Sequence, residues 1–580
     1  MPAQAGTGSP GCRHGEGTEL MVAAANPAAA LAGCRVLVAG GSAADAAVAV
    51  QAALAVVEPQ SSGLGGGSMI TYYDAASGRT RFFDGLAAAG ATVTAGLTVP
   101  TAEEQAGGVR AFDSGVDYSA RAAAVPGTPA VLGLLHEKFG RLGWNRLFDD
   151  AITLSGQGFE VAPYLHDALS DSGAVTPSCR YPGLRALFCD GDRPKPAGAA
   201  VRNPELAQTL RELRDGGATA FYDPRGRIAP TIVAGLRGGV LDPTADESGP
   251  AVVPSLLDLR DFADYRAVER RPLCSDVLRH RLCTAPPPAS GGLTLTGLLD
   301  IAAANGITGF APDSPEYAHL AIEASRLAGV DSRAYVGDPG YDDVPLRGLT
   351  DPGYRAARAA EVKPDAAGHP VLPGVPDGAP ARISDPAGGR DSTSQISIVD
   401  AGGNAVSMTT TVNLNFGSRV LAGGVVLNNA ATNFSAAGAE VNAMAAGKRP
   451  RTSIAPSIVF GASGEPRLVA GAAGGGPIPD YVAQTVLGVL GYGEDPLRAV
   501  SRPHVSGQAR AEDCAGIPDV RSDVEAGTAA EGLLPALRER HHPCAKATTL
   551  RSGLAAVEVT DSHGLRGAAD PRRDGTVYGA

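Results

Sequence analysis

Helical spacing of small apolar residues dominates the first half of the chain, and strand alternation dominates the last third. Residues 22–57 carry helical patterning, split by Gly40-Gly41 into two helices, with Ser42 placed to cap the second. The longest apolar run, residues 46–57, is broken by Gln51 and too short to cross a bilayer, so it predicts a buried helix. The stretch Ser61-Ser62-Gly63-Leu64-Gly65-Gly66-Gly67-Ser68 predicts a tight loop feeding a strand over 69–74. From 126 to about 330 the pattern is mainly helical, interrupted at Pro286-Pro287-Pro288-Ala289-Ser290-Gly291-Gly292. Residues 363–392 are rich in Pro, Gly and Asp without any period and predict an exposed, mobile linker. Directly after it, 395–400 alternates, 401–404 turns and 405–412 alternates again, which predicts a hairpin. Strands are expected at 424–427, 457–460 and 467–470, and a helix at about 481–492. No repeat of fixed period is present.

Composition narrows the class. The 580 residues are 44% apolar and 19% charged, which suits a folded globular chain. With 76 Gly, 44 Pro and only 5% aromatic residues, tight turns and small-residue contacts are expected. Lys and Arg number 49 against 61 Asp and Glu, a net charge of −12, which argues against a nucleic-acid surface. Residues 1–20 are Gly-rich and read as loose. They lack a basic stretch followed by an apolar run, so no secretory signal is expected. The eight cysteines include no C-x-x-C pair, and free thiols in a cytoplasmic protein are expected. The lone Trp144 should pack in the helical half.

The junction Asp391-Ser392-Thr393-Ser394-Gln395 is where chemistry enters. A linker there meets the first residue of a buried strand, and that residue bears a hydroxyl. If the Ser392–Thr393 bond breaks, Thr393 becomes a terminal residue whose hydroxyl can attack while its own α-amine, titrating near ~8, acts as base. Other signals carry less. Gly63-Leu64-Gly65-Gly66-Gly67-Ser68 lacks the dinucleotide spacing and precedes its strand. His541-His542 near Cys544 has no further ligands at zinc spacing and reads as a solvated loop. There is no P-loop and no G-x-S-x-G elbow. No metal, cofactor or membrane partner is expected.

Motifs stand along the chain at Gly40-Gly41-Ser42-Ala43-Ala44-Asp45, Val57-Glu58-Pro59-Gln60-Ser61-Ser62-Gly63-Leu64-Gly65-Gly66-Gly67, Val125-Pro126-Gly127-Thr128-Pro129, the Pro286–Gly292 segment and Tyr335-Val336-Gly337-Asp338-Pro339. They continue through Thr393-Ser394-Gln395-Ile396-Ser397-Ile398-Val399-Asp400, Gly403-Asn404-Ala405-Val406, Leu427-Asn428-Asn429, Gly447-Lys448-Arg449-Pro450, Gly474-Gly475 and Gly567-Ala568-Ala569-Asp570-Pro571-Arg572. In these motifs, in this order and spacing, the chain resembles the γ-glutamyltransferase family of N-terminal-nucleophile hydrolases nearly end to end.

The resemblance implies an α+β, four-layer αββα sandwich built from two chains after self-cleavage between Ser392 and Thr393. These would be a large chain 1–392 and a small catalytic chain 393–580, associated as a heterodimer. It implies Thr393 as nucleophile and Thr411 as the hydroxyl that orients it. Gly474 and Gly475 would form the oxyanion hole, and Asn413, Asn433, Thr452 and Ser453 would contact substrate. The implied partners are a small-molecule amide and a water or amine acceptor.

Some family features differ here. The Arg that pairs with a γ-glutamyl carboxylate falls near Ala95, and the Gln and Asp that hold the α-amine align with Ala430 and Asn433. An Arg–carboxylate fork is a strong bidentate contact, so the donor pocket is expected to be altered. The short segment between Phe434 and Gly447 is expected to leave that pocket open. Three readings follow: a γ-glutamyltransferase-like acyltransferase or hydrolase, an acylase for a dicarboxylic-acid (glutaryl- or cephalosporin-type) amide or a specialised hydrolase in natural-product assembly, and a catalytically silent scaffold.

Overall fold

The computed structural model describes residues 11–15, 17–108, 114–170, 177–238, 253–380, 392–435, 440–508, 521–542, 544–562 and 564–580. Two antiparallel sheets form its centre. The first has eight strands in the order Arg13–His14, Thr576–Gly579, Met21–Ala24, Ser394–Val399, Ala405–Thr411, Gly67–Asp74, Arg79–Gly85 and Val268–Arg270. The second has six, in the order Leu273–Val277, His280–Thr284, Ser457–Phe460, Pro466–Ala473, Gly553–Val559 and Leu565–Ala569.

Strand alternation sorts the layers. Ile396, Ile398, Val406 and Met408 point to one side, into a core shared with the helices Pro27–Val38 and Ala43–Val57. Ser397 and Ser407 point to the other side, where their hydroxyls donate to Ala555 O and Ala470 O of the second sheet, each at 2.9 Å. The far face of the second sheet is covered by the helices Gly291–Ala304, Pro315–Tyr335 and Ile478–Val486. The result is the αββα sandwich expected from the resemblance.

The expected hairpin is present, with Val399 opposite Ala405 and Ser394 opposite Thr410. Ser42 caps the helix Ala43–Val57 in a reciprocal box with Asp45. Met21–Ala24 is a strand rather than the start of a helix. Asn26 and Pro27 begin the helix only after it, and its four residues are buried between Ser394–Val399 and Thr576–Gly579. The region 126–330 is mainly helical, but Leu273–Val277 and His280–Thr284 form a hairpin whose charged, short strands lack a clear alternation.

Several expectations are corrected. Cys12–Cys34, Cys179–Cys189 and Cys274–Cys283 are disulfides, and no cysteine among the described residues is free. The expectation of a cytoplasmic setting rested on free thiols and loses that support. Residues 11–15 and 17–20 are not loose, since Cys12 is buried and Arg13–His14 extends the first sheet. The linker is anchored over 363–380, where the Gly374 amide donates to Asp331 (2.9 Å) and Tyr335 Oη donates to Gly374 O (2.6 Å). Its remainder, 381–391, lies outside the described residues. His542 is not solvated. It is buried in a chain running from Ser522 (2.9 Å) through His319 (2.7 Å) to Lys363 O (2.6 Å), and burial lowers its pKa to about 2. Trp144 packs between His136 and Phe148, as expected for the helical half.

Candidate active site

The register of the central hairpin sets the geometry. Ser394 faces Thr410, so the preceding residue, Thr393, comes opposite Thr411 at the strand end. Thr393 Oγ1 donates to the carbonyl oxygen of Ser392, the residue before it, and lies 3.3 Å from Thr411 Oγ1. Thr411 Oγ1 donates to the same Ser392 oxygen at 2.6 Å and accepts from the Asn413 amide at 2.8 Å. Two hydroxyls thus converge on one peptide carbonyl. Such donors polarise a carbonyl and stabilise negative charge developing on its oxygen.

Behind this junction the packing is tight and polar. Ser392 Oγ donates to Gln60 O (2.6 Å), and Arg573 Nη1 donates to Thr393 O (2.7 Å). Ser394 Oγ donates to Glu58, whose carboxyl lies at the end of the buried helix Ala43–Val57. Burial raises the Glu58 pKa to about 7 despite the opposing charge of Arg573. The glycine-rich loop is explained by proximity, because a Cβ on Gly66 would sit 2.2 Å from Thr411 O.

In front of the junction lies a cleft of about 800 Å³, counting the part open to solvent. Its wall brings together Thr393, Thr411, Asn413, Asn433, Thr452, Ser453 and Gly475 from the expected set. Asn433 Nδ2 donates to Asn413 Oδ1 (2.8 Å), and Asn413 Nδ2 donates to Thr432 Oγ1 (2.8 Å). Ser453 Oγ donates to Gly475 O at 2.7 Å and the Ile478 amide does so at 3.2 Å, which fixes the Gly475–Gly476 peptide plane in the wall. Gly474 is not among the lining residues. It sits just behind, at φ +125°, where a Cβ would be 2.6 Å from the Tyr481 ring.

Ala95 and Ala430 do not line the cleft, whereas Arg333, Arg451 and Gln508 do. Sequence reasoning missed these three, together with Glu58 and Arg573 as neighbours of the junction. Arg451 stands directly before the Thr452-Ser453 pair, and that adjacency was the available signal. Among the described residues no group of three or more His, Cys, Asp or Glu side chains could hold a metal ion. Among them, too, no helix is long and apolar enough to cross a membrane.

Comparison with known proteins fits this geometry. The profile of the gamma-glutamyltranspeptidase family matches residues 29–580. A glutathione hydrolase proenzyme of Pseudomonas aeruginosa is 33% identical over 508 residues, covering 85% of this chain and 83% of the relative. An Acylase ACY 1 proenzyme from a Pseudomonas species is 28% identical over 562 residues, covering 97% and 93%. The crystal structure of a cephalosporin acylase from Bacillus halodurans superposes with a TM-score of 0.79 at 25% identity, covering 100% of this chain and 99% of that one.

Proposed function

The chain belongs to the gamma-glutamyltranspeptidase family, as an amide-cleaving hydrolase or acylase of that kind, and we propose that it activates itself at Thr393. Thr393 Oγ1 attacks the Ser392 carbonyl carbon, and the Thr411 hydroxyl stabilises the developing oxyanion. The C–N bond then breaks as the nitrogen takes the hydroxyl proton. Water hydrolyses the resulting ester, leaving a Ser392 carboxylate and a free Thr393 amine. The placement of both hydroxyls on the Ser392 oxygen is the observation that carries this reading.

In the cut enzyme, Thr393 Oγ1 attacks an amide donor while its α-amine accepts the proton and delivers it to the leaving amine. The amides of Gly474 and Gly475 receive the oxyanion. The acyl group passes from Thr393 to water or to an amine. The two pieces, 1–392 and 393–580, act as a heterodimer without a cofactor.

The reading of an altered donor pocket rests on residue type, because Ala95 and Ala430 stand where the family has an Arg and a Gln, and Asn433 is neutral. This favours a dicarboxylic-acid amide over glutathione as donor. The test is incubation with glutaryl and γ-glutamyl anilides, followed by peptide mass analysis of the quenched enzyme. The reading expects an acyl adduct on the peptide beginning at Thr393 and faster release from the glutaryl compound. Turnover with an adduct elsewhere, or a strong γ-glutamyl preference, contradicts it.

A further inference from the structure

The cut that would free Thr393 also removes much of what holds it. In the uncut chain Thr393 Oγ1 and Thr411 Oγ1 both donate to the Ser392 oxygen, and Ser392 Oγ is anchored on Gln60 O at 2.6 Å. Once the Ser392–Thr393 bond is broken, none of these contacts restrains Thr393 through the backbone. The strand ladder replaces them only in part. Ser394 pairs with Thr410 on one edge, but on the other edge the ladder with Met21–Ala24 begins only at Ile396. A chain end paired on one edge alone is prone to fray.

One remaining hold is Arg573, whose Nη1 donates to Thr393 O at 2.7 Å while its Nε donates to Ser552 O at 3.0 Å. The other comes from the opposite face of the strand. Gln395 points towards Gly471 of the second sheet, so Ser394 points the other way, to the end of the helix Ala43–Val57. There Ser394 Oγ donates to Glu58 Oε2 and accepts from Ser62 Oγ at 3.0 Å. All three side chains are buried. Among the described residues Glu58 Oε1 has no hydrogen-bond partner, so the contact to Ser394 is the one the carboxyl makes. Its raised pKa reports that burying it here works against stability. A carboxyl kept at such a cost, with its hydrogen bond spent on the residue after Thr393, calls for a role in the site.

We propose that Glu58, acting through Ser394, is a positioning residue that aims Thr393 in the cut enzyme, taking over the hold that Ser392 supplies before the cut. The proposal deepens the reading above and rests on it for Thr393 as the nucleophile. The contact exchanges no atoms with substrate. It fixes the backbone of residue 394 and thereby the direction of the Thr393 hydroxyl and α-amine. Loss of such alignment lowers the rate of the chemical step far more than it weakens substrate binding.

The test compares self-cleavage with turnover in Glu58→Ala, Glu58→Gln and the parent. Self-cleavage is followed by denaturing gel after synthesis, and glutaryl anilide turnover is expressed per acylated Thr393 peptide, so that loss of folded protein does not count as support. Glu58→Ala is expected to cut itself within about threefold of the parental rate, because Ser392 still holds the junction. Its kcat is expected to fall about ten- to a hundredfold with KM within about twofold. Glu58→Gln keeps an acceptor oxygen for Ser394 and is expected to restore kcat to within about threefold. If Glu58→Ala does not fold, Ser394→Ala supplies the same comparison. A parental kcat, a loss shared equally by self-cleavage and turnover, a folded variant that does not cut, or a Glu58→Gln as slow as Glu58→Ala overturns the proposal. A parent acylated elsewhere than at Thr393 sinks the nucleophile reading instead, whereas variants that match a parent acylated at Thr393 sink only the role of Glu58.

Discussion

At the scale of single residues, the hairpin register explains why Thr393 and Thr411 meet. The observed pairing is centred on residue 402 and puts 393 opposite 411, whereas the four-residue turn read from the sequence, 401–404, would have put 412 there, so this encounter was expected from the family resemblance and not from the turn. Glu58 was not legible as a neighbour of this junction, because nothing local to residue 58 says that its helix ends beneath a strand 336 positions later. Its titration gives a test of the buried environment. The folded chain holds the Glu58 proton up to about pH 7, against a reference of 4.5. Between those values the folded state binds more protons than the unfolded state, so the stability contribution of Glu58 falls as pH rises through that window. The full cost, present above pH 7, is about 3 kcal/mol. In the uncut Thr393→Ala background, Glu58→Gln is expected to gain stability relative to its parent by up to that amount between pH 5 and 8. The check is denaturant unfolding at both pH values. A difference that does not change with pH contradicts the buried, protonated carboxyl.

At the scale of elements, the strands that alternate cleanly were readable, and Ser457–Phe460 falls on its predicted span. Short or uniformly small strands were not. Gly553–Val559 and Thr576–Gly579 carry little alternation, because both of their faces are covered and period-two patterning is lost there. The turn after Pro466–Ala473 is where an element end becomes part of the site. Gly474 holds a left-handed backbone against Tyr481, and it positions the Gly475–Gly476 peptide in the cleft wall. Gly474→Ala is therefore expected to lower the melting temperature by several degrees and to reduce turnover by about tenfold or more. A variant with parental melting and turnover would show that this turn does not set the reactive geometry.

At the scale of the whole molecule, the proposed pieces are interleaved rather than adjacent. Three strands from 393–580 lie in one sheet with five from 11–380, and the second sheet is likewise shared. Cutting before Thr393 would leave those ladders intact. The processed protein is expected to elute as one species in native size exclusion and to separate into two only in denaturant. Separation under native conditions contradicts the interleaved fold. The sandwich itself was readable from the family resemblance, but the disulfides were not, since pairing depends on which loops the fold brings together.

The most direct test of the central claim is the intact mass of the purified chain under denaturing conditions, with and without Thr393→Ala. The account predicts two polypeptides for the parent, the smaller beginning at Thr393 and ending at Ala580, and one uncut chain for the variant. An uncut parent that still releases the aniline from its anilide substrates, or a Thr393→Ala chain cut at the same bond, would contradict it.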